Sequence, residues 1–170
     1  ATENDLFGCS VSIYDDYALI GAKVAGTGGQ AYIFKRNGDL WYQQSILIGT
    51  GISLGNKFGC SVSLYKDYAV IGAVDADKVF IFRRIDSTWV EQVSFQGDDT
   101  LTNDNFGISV NIYENYVIVG ADISGTGGKA YIFKRSGSVW SQEERLEASD
   151  VELSDKFGCS VDIYKDYALV

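Results

Sequence analysis

Three kinds of residue in this sequence could do chemistry. The first is cysteine. Cys9, Cys60 and Cys159 each stand two residues after a phenylalanine, and the equivalent place in a further copy of the motif holds Ile108. A place that accepts Cys or Ile is a small apolar site, so these thiols are expected to be buried, reduced and unpaired. Their spacings of 51 and 99 residues match no zinc pattern. The second is the glycine-rich stretch "GTGGK" at 125–129. A phosphate loop needs a glycine five residues before its Gly-Lys pair and Ser or Thr after the lysine, where Ile123 and Ala130 stand instead. The stretch is therefore expected to be a flexible turn. The third kind is the acidic residues set between apolar runs: Asp75, Asp77, Asp98, Asp99, Asp104, Asp122, Asp150, Glu152 and Asp155. Carboxylates on neighbouring loops are the oxygen ligands calcium takes. Asp75, Asp77 and Asp122 are the first candidates for such a site, and Asp98, Asp99, Asp104, Asp150 and Asp155 are candidates for a ligand-binding face. The plain alternative is solvated charge that keeps an apolar repeat soluble.

No catalytic set is assembled from these types. The chain has no histidine, so neither a Ser-His-Asp nor a Cys-His arrangement can form. A net charge of −9 and a pI near 4.4 argue against nucleic acid and anionic membrane as partners. No run of 18 apolar residues is present to insert in a membrane. There is no methionine at all, the mark of a processed product or a fragment.

The elements that position these residues come from a repeat. "FGCSVSIYDDYALIGA" at 7–22 returns at 58–73 and 106–121, and begins again at 157. The periods are 51, 48 and 51 residues, and residues 7–36 match 106–135 at 19 of 30 places. A fixed period of this size means an array of supersecondary units. Each unit holds four short runs rich in Val, Ile, Tyr and Phe, in the first unit 7–14, 17–22, 31–36 and 40–48. None is long enough or suitably periodic for a helix, so they read as strands. Two-residue gaps such as Asp15-Asp16 and Lys66-Asp67 make tight hairpins. The units are therefore four-stranded meanders: 7–48, 58–96, 106–147, and the first half of another at 157–170. Alternation puts Phe7, Cys9, Val11 and Ile13 on one face of the first strand and Gly8, Ser10, Ser12 and Tyr14 on the other. A bulky face against a small one suits radial packing of blades. The array is expected to expose the small face of its first blade and the bulky face of its last. Trp41, Trp89 and Trp140 are expected to pack on outer strands.

The pattern of "FG" followed about 13 residues on by "IGA" or "VGA" resembles the FG-GAP repeat family. Phe7-Gly8 with Gly21-Ala22, Phe58-Gly59 with Gly72-Ala73, and Phe106-Gly107 with Gly120-Ala121 carry the resemblance, and Phe157-Gly158 matches its first half. It implies an all-β fold, a seven-bladed β-propeller like that of integrin α-subunit heads and of bacterial and protist surface proteins. About three and a half blades are present in this chain. Further repeats or another chain would complete the ring. A kelch-like propeller is the alternative fold. The family's calcium loop between the first two strands has no room in a two-residue turn, so no metal is expected there. The resemblance implies a non-catalytic adhesion module at the cell surface or outside the cell, recognising a protein or glycan through its loop face. The alternative is a scaffold module with no ligand of its own. No cofactor is expected, calcium being the one possibility.

Overall fold

The computed structural model describes residues 4–170. The repeats form three four-stranded antiparallel sheets, each a simple meander. The first contains β1 (Phe7–Tyr14), β2 (Tyr17–Ala22), β3 (Gln30–Asn37) and β4 (Leu40–Leu47). The second contains β5 (Phe58–Tyr65), β6 (Tyr68–Ala73), β7 (Lys78–Ile85) and β8 (Thr88–Phe95). The third contains β9 (Phe106–Tyr113), β10 (Tyr116–Ala121), β11 (Lys129–Ser136) and β12 (Val139–Leu146). A hairpin of β13 (Asp162–Tyr164) and β14 (Tyr167–Leu169) follows.

The two-residue hairpins close because their first residue takes the left-handed conformation, at φ 54° for Asp15, 51° for Lys66, 54° for Glu114 and 53° for Lys165. In the three four-stranded blades an arginine on the third strand then holds the turn. Arg36 Nε donates to Asp16 Oδ1 at 2.8 Å, Arg84 pairs with Asp67, and Arg135 bonds Asn115.

Every blade presents a bulky front face to the small back face of the blade before it. Phe58, Val62, Leu64, Ile71 and Phe80 of the second blade pack on Leu19, Ile33 and Leu47 of the first. Phe106, Val110 and Ile112 repeat this on Val70 and Ile81. The serines of the back face take up backbone groups of the next blade. Val62 N donates to Ser10 Oγ at 2.9 Å and Leu64 N to Ser12 Oγ at 3.0 Å. Ser61 and Ser109 donate to the Gly107 and Gly158 carbonyls at 2.6 and 2.7 Å. Those carbonyls and that of Gly59 sit so close to Gly72, Gly120 and Gly21 that no Cβ would fit there. The recurring FG and GA are thus two halves of one contact between successive blades. Tyr14, Tyr65, Tyr113 and Tyr164 run across the junctions as a ladder, with ring centroids 5.0, 5.2 and 4.9 Å apart.

Three expectations are corrected here: the alternation along the first strand, the burial of the thiols and the direction of stacking. Alternation does not run through the first strand, because Phe7 pairs with Ala22 and the next pair is Ser10 with Gly21. Gly8 at φ 87° and Cys9 form the bulge, and Cys9 turns to the back side, where its Sγ donates to Gly59 O at 3.4 Å. Cys9 and Cys159 are exposed and Cys60 is half-buried; all three thiols are free. The direction of stacking is also reversed. The first blade exposes its bulky face, with Val11 and Ile13 67% and 66% accessible.

Candidate functional site

In each meander the β2–β3 type of connection and the link to the next blade emerge at the same end. This loop face holds all the acidic candidates. Most of them bond the chain itself.

The amide of each FG phenylalanine needs an acceptor from the blade before it. Phe58 N donates to Gly28 O at 2.8 Å and Phe157 N to Gly127 O at 2.7 Å. The glycine-rich stretch is a turn between strands, and its carbonyls also clamp successive blades. The second blade lacks that turn and has a short 3₁₀ turn, Val74–Ala76, closed by Asp77 at φ 48°. There Asp77 does the clamping: its carboxylate accepts Phe106 N at 3.1 Å and Asn103 N at 2.7 Å.

The linkers before Phe58, Phe106 and Phe157 each make a turn held by a side-chain oxygen. Asn56 accepts Ser53 N at 2.8 Å, Asp104 accepts Leu101 N at 2.9 Å, and Asp155 accepts Glu152 N at 2.6 Å. Asn56 in the same role shows that the job is to accept a hydrogen bond, not to carry charge. Asp104 also accepts Ser124 Oγ at 2.8 Å, and Asp122 accepts Asn105 Nδ2 at 2.8 Å. Asp75 pairs with Lys57 at 2.9 Å on the surface. Asp77 and Asp122 are buried and Asp75 is exposed. Among the described residues no three or more Asp, Glu, His or Cys side chains gather as a metal would need.

Asp98 and Asp99 tie the second blade to the third. Asp98 accepts Gln142 Nε2 at 2.8 Å. Asp99 accepts Tyr131 Oη at 2.7 Å and Arg145 at 2.8 Å, and pairs with Lys129. Burial alone would raise the Asp99 pKa; hydrogen bonds from Lys129 and Tyr131 and the charges of Lys129 and Arg145 hold it below the usual value. Burial, with Asp99 beside it, pushes Tyr131 up to about 12. Asp150 is exposed. Burial also pushes the Cys60 thiol up to about 11.

Two clefts remain on the loop face, walled by aliphatic side chains and glycine backbone, with lysines among their lining residues. A cleft of about 290 Å³ lies between the Val24–Gly29 turn and the linker carrying Leu54 and Lys57. A second, of about 220 Å³, lies between Ile123–Gly128 and the linker carrying Leu153 and Lys156. Apart from Asp75, which lines only the first, the residues correspond one to one, two blades apart. Sequence reasoning missed these aliphatic positions. The signal was there: leucine occupies a turn corner where Gly, Ser or Asn is usual.

The sequence matches the family described as FG-GAP repeat over residues 1–34, 41–82, 89–133 and 140–170. The chain belongs to the FG-GAP repeat family. FG-GAP repeats form β-propellers, are typically non-enzymatic and occur in extracellular proteins. The matched units are offset from the blades: 41–82 spans β4 to β7, and 89–133 spans β8 to β11. The 41–82 and 89–133 units therefore each run across a blade boundary, and the clamps join one unit to the next: Gly28 to Phe58, Asp77 to Phe106 and Gly127 to Phe157. No curated protein matches the chain. Among the described residues no helix is long and apolar enough to cross a membrane.

Proposed function

We propose that this FG-GAP array is a non-catalytic recognition module of the cell surface or extracellular space, which binds a protein or glycan through its loop face. The supporting observation is the repeated cleft on that face, set on a scaffold whose polar groups are largely committed to holding blades together. Loops on a rigid frame are where binding concentrates. Further repeats or another chain cover the exposed front of the first blade. No nucleic acid enters this reading, since the chain carries a charge of −9. No cofactor enters it either.

The test is saturable binding of the labelled chain to intact cells or extracellular matrix. A Leu54→Ser/Leu153→Ser variant should bind at least tenfold more weakly, while Lys66→Ser on the opposite face should bind as the parent does. Loss through Lys66→Ser alone would contradict the reading. Absence of any saturable binding would favour a scaffold without a ligand.

A further inference from the structure

Tyr14, Tyr65, Tyr113 and Tyr164 end the strands β1, β5, β9 and β13, at the hairpin end of the blades, opposite the loop face. Their rings meet in sequence at 5.0, 5.2 and 4.9 Å between centroids, tilted by 58°, 49° and 59°. These separations lie near the short end of the range for aromatic pairs. Among the described residues they are the only contacts between two tyrosine rings. Tyr17 and Tyr68 meet tryptophans, and Tyr32 and Tyr131 meet phenylalanines. Each contact in the ladder joins one blade to the next across 51, 48 and 51 residues of chain.

Two phenol rings in contact can be oxidised to a carbon–carbon bond, provided that an oxidant reaches them. Tyr164 is 57% accessible and the other three are half-buried. Tyr164 is therefore the entry, and the ring contacts carry the electron vacancy inward along the ladder. Lys66 and Lys165 lie 5.1 Å over the Tyr65 and Tyr164 rings, so a cation covers one face of each. The chain has no methionine to absorb such oxidation. Its three thiols stand near the opposite end of the same strands, five residues before the tyrosines. We propose that the ladder is an oxidative cross-linking site at which successive blades become joined by dityrosine bonds. The co-reactant is hydrogen peroxide used by a haem peroxidase. Each of two neighbouring phenols gives up one electron and one proton. The two radicals join through ring carbons next to the oxygen-bearing carbon, and the hydrogens on those carbons pass to the oxygens as the rings regain aromaticity. The pair loses two hydrogen atoms in all, and one peroxide becomes two waters. A bond of this kind closes a long loop of chain, which restricts the unfolded state as other cross-links do. The inference is independent of the loop-face reading.

The test treats the whole chain with a haem peroxidase and hydrogen peroxide, then removes any disulfides with reductant. Dityrosine fluorescence should appear in chains that still run as monomers on a denaturing gel. Peptide mass spectrometry should find joined peptides, two hydrogens lighter per bond, linking Tyr14 to Tyr65, Tyr65 to Tyr113 or Tyr113 to Tyr164. The Tyr65→Phe/Tyr113→Phe variant keeps the rings and breaks all three phenol pairs, so it should lose these products with an unchanged circular dichroism spectrum. Tyr42→Phe should form them as the parent does, although Tyr42 is 53% accessible. The cross-linked monomer should unfold at a higher urea concentration than the untreated chain. Products that are mainly dimers joined through Tyr42 or the 79% accessible Tyr167 would mean that exposure and not the ladder directs the chemistry, and would overturn the proposal. Bonds between Tyr164 and Tyr167 alone, or undiminished yield in the double variant, would also overturn it. An unchanged urea midpoint would overturn the fastening of blade to blade.

Discussion

Asp77 and the Gly28-Gly29 turn perform one task with different atoms: each gives an acceptor to the amide of the next FG phenylalanine. The sequence showed a three-residue deletion there and an aspartate nearby, but not that the second replaced the first. A carboxylate in a loop looks the same whether it faces an ion or a buried N–H. Asp104 and Asp155 were similarly ambiguous until Asn56 was seen in the same bond. Asp77→Ala should strand the buried Phe106 amide and lower stability by about 1–3 kcal/mol in urea denaturation. Asp104→Asn should cost less than about 1 kcal/mol, because the amide oxygen still accepts. Near-equal effects would contradict the assignment of Asp77 as a clamp. The thiols differ by environment as well. At pH 8 a thiol-reactive reagent should modify Cys9 and Cys159 first and Cys60 last. Burial holds Cys60 as the unreactive thiol, so early loss of Cys60 would mean its junction is open.

At the scale of the element, strands were the most readable part of this chain. Short β-branched and aromatic runs, bounded by Asp, Asn and Gly, leave little choice but hairpins. Their faces were less readable, because one positive-φ glycine resets the alternation of β1 and moves Cys9 to the other side. The link from β8 to β9 supplies a pH-dependent contact. Asp99 has a lowered pKa in the folded chain, so its contribution is complete above the unfolded carboxylate value of about 3.9. It fades as pH falls through the lower folded value. Asp99→Asn should therefore be less stable than the parent at pH 6, with the difference shrinking toward pH 3. A difference that grows on acidification would show that the contact does not depend on the Asp99 charge.

For the whole molecule, the periods and the FG and GA motifs disclosed an array of blades, while the manner of contact needed coordinates. Front meets back through a glycine carbonyl set against a glycine, flanked by serine hydroxyls and an apolar layer. The loop face follows from that stacking, since only successive blades bring a glycine turn and a leucine-bearing linker into one cleft. Front-to-back packing is thus the claim on which the binding surface depends. Gly8 and Gly59 are a matched pair for testing it. They share the motif and the conformation, at φ 87° and 88°, so alanine costs each roughly 1–2 kcal/mol in backbone strain. They differ in their neighbours. A Cβ on Gly8 would meet nothing within 4 Å, whereas one on Gly59 would lie 2.5 Å from Gln30 O and 3.2 Å from Ala22 N of the preceding blade. Denaturant unfolding of Gly8→Ala and Gly59→Ala in this chain measures that difference directly. Gly59→Ala should be less stable than Gly8→Ala by about 1–3 kcal/mol; equal stabilities would mean that the second blade does not pack on the first in this way.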